Sequence, residues 1–209
     1  MSGGGAPAVE AVPTGNTYDK YGSSNPVARR LMAGFEAALD DLFSRAAPDS
    51  VLDVGCGEGV LTERWAERLQ NRPVVGIDLD DPKLQSEWTH RRRENLEFRT
   101  IDGGDLPFAD CEFDLVAAIE ALEHVPEPER TVAQMARVAR RHLLVSVPRE
   151  PVWRALNVAR GAYLRQLGNT PGHVNHWSKR GFIRLLETHG EVVEVRSPFP
   201  WTMLLMRVT

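Results

Sequence analysis

The sequence predicts an α/β fold, a mostly parallel sheet covered by helices on both faces, with antiparallel pairing at its C-terminal end. Three observations predict it. Short apolar runs alternate with amphipathic stretches between residues 50 and 148, the pattern of strands joined by crossover helices. The last two apolar runs, "EVVEVRS" and "WTMLLMRV", carry a period of two that suits an antiparallel edge. The chain has 209 residues, 42% hydrophobic and 26% charged, ordinary values for a soluble globular protein with one sizeable core.

The elements follow in order. Residues 1–16, rich in Gly, Pro and Ala, read as a disordered tail, and residues 17–209 as a single domain. Val27, Leu31, Phe35, Leu39 and Leu42 recur at helical spacing after an Asn25-Pro26 start. "SVLDVG" is a short buried strand, and "GVLTERWAERLQ" a helix with Val60, Leu61, Trp65 and Leu69 on one face. "PVVGIDL" is the second strand, "KLQSEWTHRRREN" a helix and "LEFRTID" the third strand. "FDLVAAI" is the fourth, "PERTVAQMARVAR" a helix and "HLLVSVP" the fifth.

After Pro148 the alternation breaks. "EPVWRALNVARGAYLRQLGNTPGHVNHWS" is a partly helical insert whose helix reads as a lid over a substrate. "KRGFIRLLETHG" is a helix capped by Gly190.

Charge and composition exclude several classes. The net charge of −4 provides no basic field for nucleic acid or an anionic membrane. The N-terminus lacks the basic and apolar regions of a signal peptide, and no apolar stretch approaches the roughly 20 residues that span a bilayer. Stable membrane insertion is therefore not expected. Cys56 and Cys111 are the only cysteines, which suits a reducing cytoplasm without a disulfide. The 22 Arg against 3 Lys fit a GC-rich bacterial genome. "HRRREN", at residues 90–95, reads as a solvated helix face in preference to a phosphate patch.

The sharpest local signal is "VLDVGCGEG". A strand runs into Gly55, Gly57 and Gly59, and a helix follows. Glycines belong where backbone turns tightly and approaches a ligand. A dinucleotide fingerprint needs its third glycine at position 60, which is Val60, so the spacing argues against a nicotinamide cofactor. The second strand ends in Asp78 and the third in Asp102, while Asp53 lies at the end of the first. Acids at three successive strand ends are costly unless those ends line a ligand crevice. The spacing Glu120-x-x-Glu123-His124, after the fourth strand, offers carboxylates and an imidazole to a hard divalent ion such as Mg²⁺ or Mn²⁺.

Together "VLDVGCGEG", "VVGIDL", "IDGGDLPFADCEFDLV" and "ALEHVPEPE" resemble the successive motifs of class I S-adenosylmethionine-dependent methyltransferases. The resemblance implies a Rossmann-like fold with a seven-stranded sheet and S-adenosylmethionine as cofactor. By it, Asp53 and the backbone near Gly55, Gly57 and Gly59 hold the methionine part. Asp78 takes the ribose hydroxyls, Leu79 packs on adenine, and Asp102 and Gly103 meet the adenine edge. Ile119 and Glu120 close the methionine end, and Tyr18 and Tyr21 form a lid.

"IEALEHVPEP" is similar to ubiquinone-pathway O-methyltransferases. It is also similar to small-RNA 2′-O-methyltransferases, which add a second histidine downstream. Here "GHVNHWS" offers His173, with His176 as the alternative, so Glu120, Glu123, His124 and His173 are the candidate ligands. Without a metal, His124, His173 or His176 is the candidate general base.

The function expected is methyl transfer to oxygen of a small molecule. The acceptor lobe would be built from residues 17–47 and 149–178, in a monomer or homodimer. The alternatives are C- or N-methylation without metal, RNA 2′-O-methylation, and cofactor binding without catalysis.

Overall fold

The structure is a computed structural model, and it describes residues 25–209. The expected tail at 1–16, and Tyr18 and Tyr21, lie outside the described residues. Six α-helices and seven strands follow in the described chain. They are α1 (Pro26–Ala46), β1 (Val51–Val54), α2 (Val60–Leu69), β2 (Val74–Asp78), α3 (Pro82–Trp88), β3 (Leu96–Thr100), β4 (Phe113–Ile119), α4 (Pro128–Val138), β5 (Ala139–Pro148), α5 (Val152–Ala159), α6 (Lys179–Leu186), β6 (Gly190–Arg196) and β7 (Trp201–Val208). The strands form one sheet in the order β3-β2-β1-β4-β5-β7-β6.

The first five strands pair in parallel, with β1 at the centre between β2 and β4. β7 pairs antiparallel to both β5 and β6. The edge is thus β6, while β7 is an interior strand, buried along its first six residues. That burial overrides the two-residue period read from its sequence, because an interior strand packs both faces.

Alternation along the strands divides the core in two. Val51, Leu115, Ala117 and Leu144 face Phe35, Leu39 and Leu42 of α1 and Trp65 of α2. Leu52, Val116, Leu143 and Val145 face Val132 and Met135 of α4 and Phe182 of α6. Asp53 therefore shares the face of Val51 and points toward α2. α1 starts where expected. Asn25 caps it, its Oδ1 accepting from Val27 N at 2.9 Å, with Pro26 at the first position.

Two local expectations are corrected. α3 stops at Trp88 and does not reach Asn95. The following residues fold back instead. Arg91 Nε donates to Glu58 O at 2.6 Å, and Asn95 Nδ2 donates to Ala66 O at 2.9 Å. "HRRREN" is thus not a helix face: His90, Arg92, Arg93 and Glu94 stay exposed, while Arg91 and Asn95, partly buried, latch the segment to the glycine turn and α2. Gly190 is no helix cap; α6 ends at Leu186, and Gly190 opens β6. A Cβ there would sit 2.1 Å from Arg207 O, so close strand approach explains the glycine. No described helix is long and apolar enough to cross a membrane.

Candidate active site

The carboxyl ends of the parallel strands open into a cavity of about 820 Å³. On its first side stands the glycine turn after β1. Gly55 and Gly57 have φ of 75° and 55°, the left-handed region that a Cβ disfavours. A Cβ on Gly55 would lie 2.5 Å from Ala121 Cβ, so the turns after β1 and β4 touch there. A Cβ on Gly57 would meet nothing within 4 Å. It therefore faces open space, in a residue that lines the cavity.

Two acids organise this side. Asp78 accepts from Gly57 N at 2.7 Å through Oδ2 and from Leu79 N at 2.8 Å through Oδ1. Each oxygen keeps a further lone pair for a ligand hydroxyl. Burial raises the Asp78 carboxyl above its usual range, the two backbone bonds opposing that. Asp53 is 2% exposed and accepts from Thr62 Oγ1 at 2.7 Å. Burial pushes its carboxyl up to about 7, with the Thr62 hydroxyl opposing and the Asp78 charge adding. An acid held in that state gains most from a cationic ligand group. Burial likewise pushes the Cys56 thiol well up, which makes it a poor nucleophile.

Across the cavity stands the turn after β4. Glu120 has a φ of 58°, a conformation that costs a non-glycine residue energy. Ser146 of β5 holds it there: Glu120 N donates to Ser146 Oγ at 3.2 Å, and that hydroxyl donates to Glu120 Oε1 at 2.9 Å. The carboxylate of Glu120 is thus turned toward β5. The 3-10 turn Leu122–His124 follows, with Glu123 only 2% exposed.

The insert closes on this turn. Val174 N and Asn175 N both donate to Glu123 O, at 2.9 and 3.1 Å. His124 Nδ1 lies 2.9 Å from Gly172 O. A carbonyl only accepts, so Nδ1 carries a proton, and in the neutral ring Nε2 is then the acceptor atom. The rings of His124 and His173 meet edge to face with centroids 4.8 Å apart.

Donor atoms of Glu123, His124 and His173 all lie within 4.8 Å of one another. Glu120 is not in that cluster. Two imidazoles and one carboxylate suit a divalent transition ion such as Mn²⁺ better than Mg²⁺, which prefers an all-oxygen shell.

Of the residues singled out in the sequence, Asp53, Gly55, Gly57, Asp78, Leu79, Asp102, Gly103, Ile119 and Glu120 line the cavity, as do Glu123, His124 and His173. Gly59 lies behind the turn, where a Cβ would strike Phe98 at 2.5 Å. Asp102 is exposed, its Oδ1 accepting from Gly104 N at 2.8 Å. His176 is exposed and outside the cavity, with Nε2 2.6 Å from Asn169 Oδ1.

Sequence reading missed the buttress behind His173. Trp153 stacks on His173 at 6.2 Å, and its Nε1 donates to Thr170 Oγ1 at 2.9 Å. The buried Asn157 donates to Gly168 O at 2.8 Å and to Thr170 Oγ1 at 3.2 Å. The available signal was Asn157, which falls between Leu156 and Val158 on a mostly apolar helix.

Residues 52–144 match the sequence family described as Methyltransferase domain. The chain is 40% identical over 107 residues to a ubiquinone biosynthesis O-methyltransferase of Hahella chejuensis, covering 49% of this chain and 44% of that protein. It is 32% identical over 139 residues to the methyltransferase GfsG of Streptomyces halstedii, covering 63% of this chain and 50% of that one. The chain thus spans about half the length of the curated relatives it matches. Its fold is similar to that of magnesium protoporphyrin IX methyltransferase from Synechocystis PCC 6803, solved with bound SAH. The TM-score is 0.64, at 16% identity, covering 90% of each chain.

Proposed function

We propose that this chain, which matches a methyltransferase-domain family over residues 52–144, is a class I S-adenosylmethionine-dependent methyltransferase and transfers a methyl group from S-adenosylmethionine to an oxygen of a small molecule. One observation carries the reading. Glu123, His124 and His173 converge on the same cavity whose opposite side holds Asp53, Asp78 and the glycine turn. The relative from Hahella chejuensis, named as an O-methyltransferase, supports oxygen as the acceptor atom.

Each residue then has a task. Asp53 faces the cofactor's ammonium, and Asp78 accepts the two ribose hydroxyls. Leu79, 39% exposed at the end of β2, offers its apolar side chain to the adenine. The backbone of Ile119 and Glu120 closes the methionine end.

The acceptor lies between the cluster of Glu123, His124 and His173 and the apolar wall of Met32, Phe35, Trp153 and Trp201, all of which line the cavity. The acceptor lobe is α1 together with the insert. A divalent ion held by Glu123, His124 and His173 would lower the pKa of an acceptor hydroxyl bound beside the methyl donor. The hydroxyl gives its proton to water, its oxygen forms the new bond to the methyl carbon, and the carbon–sulfur bond breaks, its electron pair staying on sulfur to leave S-adenosylhomocysteine. Holding donor and acceptor in contact supplies much of the rate.

One observation favours a second reading. His124 Nδ1 is committed to Gly172 O, and its Nε2 lone pair also equips it as a general base without metal. Metal dependence separates the two. Methyl transfer to a panel of catechols and vicinal diols should be lost with EDTA and restored by Mn²⁺. Turnover that survives EDTA, and falls in His124→Ala, would replace the metal with the histidine base.

A further inference from the structure

We infer that Asn175 is a positioning residue, which holds the histidine of the insert against the two candidate ligands of the β4 turn. The inference rests on the metal reading of Glu123, His124 and His173. His173 lies about 50 residues along the chain from His124, so nothing local brings them together. Gly172, Val174 and Asn175 make the connection.

Three of its bonds come from backbone or from a candidate ligand itself. Val174 N and Asn175 N reach Glu123 O, and His124 Nδ1 reaches Gly172 O. Asn175 adds a side-chain clamp. Its Nδ2 donates to Leu122 O at 3.1 Å and to Val125 O at 2.6 Å. One amide group thus spans both ends of the 3-10 turn that carries Glu123 and His124.

The geometry selects an amide. Two carbonyls converge on one nitrogen, and only a group with two N–H donors satisfies both. Aspartate has the same shape but would set a carboxylate oxygen against two carbonyl oxygens. Repulsion would then open the loop and draw His173 away. Asn175 touches none of the candidate donor atoms through its side chain, so it acts through the spacing of the ligands. Outer partners of metal ligands commonly change metal affinity by about 10–100-fold when removed.

The test is a Mn²⁺ titration by calorimetry, on the full chain saturated with S-adenosylhomocysteine. Wild type, Asn175→Asp and Asn175→Ala are compared, and S-adenosylhomocysteine affinity is measured in each. The expected result is about 10–100-fold weaker Mn²⁺ binding in both variants, greater in Asn175→Asp, with S-adenosylhomocysteine affinity unchanged. Equal Mn²⁺ affinity in all three proteins overturns the inference and leaves the metal reading intact. Loss of both ligands in the variants also overturns it, since that marks a collapse of the whole cavity. Absence of Mn²⁺ binding in the wild type removes the metal reading, and the inference with it.

Discussion

Asp53 is the residue whose chemistry is most exposed to pH. Its carboxyl titrates at about 7 in the folded protein against 3.8 in an open chain. A raised acid favours the folded state most below pH 3.8, and that contribution is lost as pH rises through 7. Cofactor binding has the opposite sign, because an ammonium needs the ionised carboxylate. S-adenosylhomocysteine affinity should therefore rise between pH 6 and 8, by up to about tenfold per unit below the pKa. Asp53→Asn should bind more weakly at pH 8 and lose most of that slope. A slope unchanged in the variant would assign the ammonium to another group.

Asp53, Asp78, Gly55 and Gly57 were legible as cavity-lining positions, because acids at strand ends and glycines in a strand-to-helix turn have a place there. The setting of Glu120 was not. Its spacing with Glu123 and His124 reads as one ligand set, yet a left-handed backbone and the Ser146 hydroxyl turn its carboxylate toward β5. The backbone angle is not written in the E-x-x-E-H spacing, and Ser146 lies 26 residues along the chain.

Among the elements, the strands were legible because apolar runs of buried parallel strands have no competing pattern. The end of α3 was not, since "THRRREN" continues a helix as plausibly as it leaves one. Tertiary bonds decide. Arg91 is 18% exposed at its side chain and pairs with Glu63 at 3.5 Å and Glu87 at 3.6 Å, besides its bond to Glu58 O. Arg92 makes a single local bond, to Thr89 O.

Arg91→Ala should cost about 1.5–3 kcal/mol, the range for a charge-assisted bond in a partly buried setting. Arg92→Ala should change stability by less than about 0.5 kcal/mol. Urea denaturation of both variants checks the contrast. Equal costs would return the segment to a solvated face. Glu58 belongs to the glycine turn, so the latch also couples this loop to the cofactor side of the cavity.

For the whole molecule, the cavity couples ligand binding to global stability. It draws on α1, the ends of β1, β2 and β4, and the insert. A ligand that binds only when these surfaces meet stabilises the fold by mass action. At one hundred times its Kd, S-adenosylhomocysteine should add about 2.7 kcal/mol. In a domain of this size that raises Tm by about 5–11 °C. A thermal scan with and without the ligand checks it, and no shift would count against the cavity as the cofactor site.

The order of the strands carries a consequence for synthesis on the ribosome. β2 to β5 can each pair with a strand already made. β6 cannot, because its partner β7 is translated after it and slots between β5 and β6. Until Trp201–Val208 emerges, β5 presents a long apolar edge and β6 has no place in the sheet. An unpaired edge of that kind is a template for wrong pairing. The nascent chain is thus most vulnerable between the synthesis of β5 and that of β7, when most of this core already exists, and a chaperone would be most useful in that interval.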